Sequence, residues 1–68
     1  MDYLAAWREA AEAADAVNQA AGACGIEDEV RAVPHAGAQG EPVVWMRPEG
    51  ANALAAVLIA WARGSGEG

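Results

Sequence analysis

The sequence predicts a small α+β domain in the order α-β-β-α, an antiparallel hairpin packed with two helices and completed by homodimerisation. Three observations carry this expectation. Apolar residues recur at alternating steps of four and three between residues 3 and 23. Two short β-branched runs, 26–33 and 42–47, flank a segment holding Pro and Gly. A second helical run starts at Pro48 and meets a stop at Arg63 and Gly64. With 68 residues the chain is one domain at most, read as residues 2–63 followed by a flexible Gly/Ser tail at 64–68.

The first helix places Tyr3, Trp7, Ala10, Ala14, Val17, Ala21 and Cys24 on one face and Arg8, Glu9, Glu12, Asp15 and Gln19 on the other. Asp2 suits the N-cap because its carboxylate can accept from free N–H groups of the first turn. Gly22 and Gly25 offer a left-handed stop. The apolar face begins with rings and continues with Ala, so another backbone is expected to pack closely against its middle.

The hairpin reading rests on Val30, Val33, Val43, Val44 and Trp45. The segment Pro34 to Glu41 is too long for a two-residue turn, and Pro34 and Pro42 should sit at strand ends or edges because they lack a donor. The acidic Glu27-Asp28-Glu29 run could equally open as a turn and shorten the first strand. In the second strand, Val43 and Trp45 point one way and Val44 and Met46 the other, so both faces are apolar. A single helical layer covers only one of them.

The second helix carries Leu54, Val57, Leu58 and Trp61 on one stripe. Ile59 lies half a turn away, beside Ala55, Ala62 and Asn52, and suggests a second contact surface. The three Trp residues each fall on an apolar stripe. A shared core is the first reading, and a contact surface the alternative, since Trp is enriched where interfaces bind most tightly.

Composition excludes several functions. There are ten acidic residues against four Arg and no Lys, a net charge of −6, which disfavours binding to phosphate backbones. One cysteine permits neither an internal disulfide nor a Cys-based zinc site. Apolar residues make up 54% of the chain, but 19 of the 68 residues are Ala, so the core must be thin and oligomerisation is the usual remedy. The longest nearly apolar stretch, 51–62, is too short to span a bilayer, and no secretory leader is read at the N-terminus, so a cytoplasmic location is expected. Abundant Ala, Gly and Arg without Lys fits a GC-rich bacterial or phage coding sequence.

Chemistry-bearing motifs are weak. Cys24 and His35 are the one conceivable nucleophile–base pair, with no third group to orient them; the plainer reading is a small buried thiol and a loop imidazole. His35 with Glu27, Asp28, Glu29 or Glu41 lacks metal-ligand spacing. Glu9, Glu12 and Asp15 read as a solvated face, and Gly37 to Gly40 lacks the residues of a phosphate loop. No catalytic residue, cofactor or metal is therefore assigned.

The function expected is a small non-enzymatic interaction or regulatory module, working as a homodimer or against a protein partner, with no direct nucleic-acid or membrane contact. The interface residues expected are Val44, Trp45, Met46, Ile59 and Trp61. Two alternatives stand beside it. One is an acidic inhibitor of the phage or mobile-element type that occupies a nucleic-acid-binding partner through Glu27, Asp28 and Glu29, together with Glu9, Glu12 and Asp15 on one exposed face. The other is a small-molecule binder with a Trp-lined pocket and His35 or Cys24 at its mouth.

Overall fold

The computed structural model describes residues 3–66 and has the order α1 (Tyr3–Ala23), β1 (Val33–Ala36), β2 (Pro42–Trp45) and α2 (Pro48–Gly66). This is the α-β-β-α arrangement the periodicity predicts, with one antiparallel hairpin packing against the helices, chiefly α1. The expected cap Asp2 lies outside the described residues. So do Glu67 and Gly68 of the expected tail, while α2 continues past Arg63 and Gly64 to Gly66.

The end of α1 follows from Gly25. Its φ of 74° is the left-handed conformation that costs glycine nothing. The turn it makes lets Gly25 N–H donate to Gly22 O (3.2 Å) and Ile26 N–H to Ala21 O (2.9 Å), the two bonds of a Schellman stop. Ile26 and Ala21 lie on the covered side of that turn, half-buried and buried respectively.

Residues 26–32 form no strand, and β1 begins only at Val33. Glu29 and Val30 both donate their N–H groups back to Ile26 O (3.1 and 3.0 Å), so the acidic run closes as a helical turn. The local carbonyl therefore takes the donors that a longer strand would have offered to β2. Val30 at the end of the turn is 2% exposed and anchors it in the core. The second strand likewise ends earlier than expected, at Trp45 rather than Arg47.

The register pairs Val33 with Trp45, Pro34 with Val44, His35 with Val43 and Ala36 with Pro42. Gly37 N–H donates to Glu41 O at 2.8 Å just beyond the last pair. Hydrogen-bonded pairs alternate along an antiparallel ladder, which puts Pro34 and Pro42 at positions where no donor is needed. Tyr3 ties the hairpin loop down, its hydroxyl donating to Ala38 O at 3.0 Å.

The side of the hairpin holding Pro34, Ala36, Val44 and Met46 is half-buried and faces α1. The helix answers with Ala6, Ala10, Ala14 and Ala21, all buried. Trp7 and Cys24 are not on this face, as the period had suggested; both are exposed. A four-residue strand pair laid close on a helix has no room for an indole, and Ala6 takes the place expected of Trp7.

Among the described residues the buried hydrophobic set is Ala6, Ala10, Ala14, Ala21, Val30 and Ala32, and no large side chain is fully enclosed. A buried methylene contributes about 0.8 kcal/mol, so this is a slender source of stability. The second helix adds little to it. Its first turns touch the body through buried Gly50 and half-buried Ala53, Leu54 and Val57, and the remainder is exposed as far as Gly64. It makes few contacts with α1 or the hairpin. A 19-residue helix is about 28 Å long, and its projection accounts for the 46 × 24 × 18 Å dimensions.

Candidate interaction surface

Side chains of the hairpin alternate between two faces, and α1 covers only one. The other carries Val33, His35, Val43 and Trp45. Of these, Val33 is half-buried, His35 is exposed, and Val43 and Trp45 are 38% and 50% exposed. Val43 and Trp45 stand on one face of the second strand and Val44 and Met46 on the other, as the alternation predicts, and among the described residues no second layer lies on the Val43–Trp45 face.

Arg31 and Arg47 flank the Val33–Trp45 pair, each two residues beyond it along the chain. All four residues line a groove of about 220 Å³ at the root of α2. Asp28, Glu29 and Glu49 complete its lining, and Arg47 Nη1 stands 3.8 Å from Glu49 Oε1, an exposed ion pair. The groove thus has an aromatic wall and charges of both signs, three carboxylates against two guanidiniums.

The expected interface residues separate into two groups. Val44 and Met46 are half-buried on the α1 side. Trp45, Ile59 and Trp61 are 50%, 52% and 71% exposed. None of the three Trp residues is buried, so the shared-core reading is replaced by surface placement. Tyr3, Leu4 and Leu58 are also at least half exposed or nearly so, at 49%, 59% and 57%. Among the described residues the buried hydrophobic positions hold Ala and Val, while the three Trp side chains are on the surface.

The candidate chemical residues stay apart from this groove. Neither His35 nor Cys24 lines it. Cys24 is an exposed thiol at the end of α1 rather than a buried one. Glu27, Asp28 and Glu29 are exposed in their turn, but Asp28 and Glu29 share the groove with Arg31 and Arg47, so the run is not a uniformly acidic patch. Glu9, Glu12 and Asp15 are exposed on α1. Among the described residues, no group of three or more His, Cys, Asp or Glu is placed to hold a metal ion, and no helix is long and apolar enough to cross a membrane.

Two residues that position this surface escape the apolar period. Asn18 of α1 holds the chain at Ala32 through both atoms of its side-chain amide. Gly50 lets α2 approach the turn so closely that a Cβ there would lie 2.7 Å from Glu29 O. Each had a signal: Asn is a poor mid-helix residue that seeks backbone partners, and Gly inside a helix costs about 1 kcal/mol relative to Ala unless packing requires it.

No protein-family model matches this chain, and no curated protein or solved structure matches it.

Proposed function

We propose that this protein is a small non-enzymatic interaction or regulatory module that works by self-association, the open hairpin face and the outer half of α2 supplying the contact surface. The observation that supports it is the inversion of size: Ala and Val form the core, while Trp45, Leu58, Ile59 and Trp61 stand in solvent. Large exposed apolar patches mark contact sites, and a small core gains its missing stability from a partner. Self-association is the simplest source, since symmetric dimers are the commonest assemblies.

Absolute mass by light scattering across a dilution series tests the reading. A step from one chain mass to two is the expected result, with Trp45→Ser and Ile59→Ser moving it to higher concentration. A folded monomer up to millimolar concentration overturns self-association and transfers the same surface to a different protein.

A further inference from the structure

We infer that the outer edge of β2 is the seam on which two copies of this chain join, their β2 strands pairing antiparallel about Trp45 into one four-stranded sheet. The inference rests on the self-association proposed above and specifies how the two hairpins meet.

A two-stranded sheet has two free edges, and this fold closes one of them. Gly37 N–H donates to Glu41 O, so in the alternating ladder the 37–41, 35–43 and 33–45 pairs carry the hairpin's own bonds. The residues between them aim their main-chain groups outward. Along β1 these are Ala32, Pro34 and Ala36. Asn18 takes both groups of Ala32, and Pro34 has no N–H. Along β2 they are Pro42 and Val44, and the alternation continues to Arg47, with Val44 and Met46 half-buried and Trp45 and Arg47 exposed. Arg47 also precedes Pro48, which favours extended backbone there. Among the described residues, none accepts from the N–H of Val44 or Met46.

The order of groups along this edge selects a second copy as the occupant. Pro42, Val44, Met46 and Pro48 read as acceptor only, donor and acceptor, donor and acceptor, acceptor only. That order is the same in both directions. An antiparallel copy centred on Trp45 sets Val44 against Met46 twice, and four N–H groups then meet four carbonyls. Pro42 falls opposite Pro48, so the ladder ends where neither strand has a donor to lose.

Side chains agree with this register. Trp45, 50% exposed in one copy, faces the other Trp45 across a non-hydrogen-bonded pair, where side chains approach most closely. No carboxylate lies between Pro42 and Pro48, and each Arg47 falls opposite Val43. A chain of net charge −6 thus meets itself along a stretch that brings no like charges face to face. The helix α1 packs more on β1 than on β2, which leaves the seam clear.

Val44→Pro tests the seam, read as the dissociation constant from sedimentation equilibrium of the full chain. It removes an outward N–H and no bond of the hairpin, and Pro42 already occupies the equivalent outward position. Association is expected to weaken at least about tenfold, since two of the four seam bonds are lost. Val44→Ala trims the same side chain but keeps the N–H, and is expected to associate much as the parent does. Circular dichroism of both checks that the fold persists. The register is read by oxidation in a Cys24→Ser background, which removes the exposed thiol. Trp45→Cys is expected to give a disulfide-linked dimer, because the Cα atoms of a non-hydrogen-bonded pair stand about 4.5 Å apart, within disulfide range. Val43→Cys is not, because its two copies lie four residues, about 14 Å, apart along the strands. A dimer that tolerates Val44→Pro, or that cross-links at 43 and not at 45, overturns the seam while leaving self-association standing. A chain that stays monomeric throughout overturns both.

Discussion

Asn18 and Ala32 pair as two strands would, through a side chain instead of a backbone. The Asn18 Nδ2 donates to Ala32 O at 3.0 Å, and Ala32 N–H donates to Asn18 Oδ1 at 2.8 Å. Ala32 is buried just before β1, where both of its main-chain groups need partners. One residue of α1 thereby fixes where the hairpin enters and how it lies on the Ala face.

Removing that amide leaves a buried N–H and a buried carbonyl unmet. Asn18→Ala is expected to destabilise by about 1–3 kcal/mol in urea unfolding. Asn18→Asp keeps an acceptor for Ala32 N–H but turns an oxygen toward Ala32 O, so it should not restore the loss. A change under about 0.5 kcal/mol in Asn18→Ala would show that the pair does not hold the hairpin.

How far the sequence reveals this molecule follows from such contacts. The order of elements, the start of α2 and the Gly25 stop are local events, and periodicity and turn chemistry reveal them. The face of α1 is not local. Tyr3 and Trp7 look like core by hydrophobicity, yet closeness to the hairpin favours Ala6, Ala10 and Ala14. The turn at 27–29 displaces the expected first strand, leaving only Val33 of 26–33 in β1, because Ile26 O captures two donors. The open face of β2 was legible, since alternation alone shows that Trp45 and Met46 diverge. The groove was not, because it depends on the turn at 27–29, the end of the hairpin and the root of α2 coming together.

Two glycines in helices should respond with opposite sign. Gly22 has nothing within 4 Å of where a Cβ would be, so Gly22→Ala should stabilise by about 0.5–1 kcal/mol through helix propensity. Gly50→Ala gains the same propensity but drives a methyl to 2.7 Å from a backbone carbonyl that has little freedom to retreat. Its expected outcome is net destabilisation, with α2 displaced from the turn. Thermal unfolding of both variants side by side checks this, and an equal gain in the two would contradict the close approach.

The Ala face makes a parallel demand on volume. Ala10 and Ala14 are 1% and 3% exposed against the hairpin, while Ala13 is on the solvent side. Ala10→Leu or Ala14→Leu should cost about 1–3 kcal/mol by forcing the layers apart. Ala13→Leu should stay within about 0.5 kcal/mol, as surface substitutions do. Should all three behave alike, the hairpin does not lie on this face of α1.

The exposed indoles provide a direct reading of association. Trp7, Trp45 and Trp61 are all about half exposed or more, so a dilute solution should show red-shifted emission and strong quenching by iodide. Concentrating the chain should blue-shift the emission and protect part of it, because Trp45 and Trp61 are on the proposed contact surface while Trp7 lies on α1. Trp61→Leu keeps the helix apolar and removes one reporter, so the concentration-dependent part should shrink. If the protected fraction is unchanged in that variant but lost in Trp7→Leu, the interface lies at the start of α1, with Tyr3 and Leu4, and not along α2.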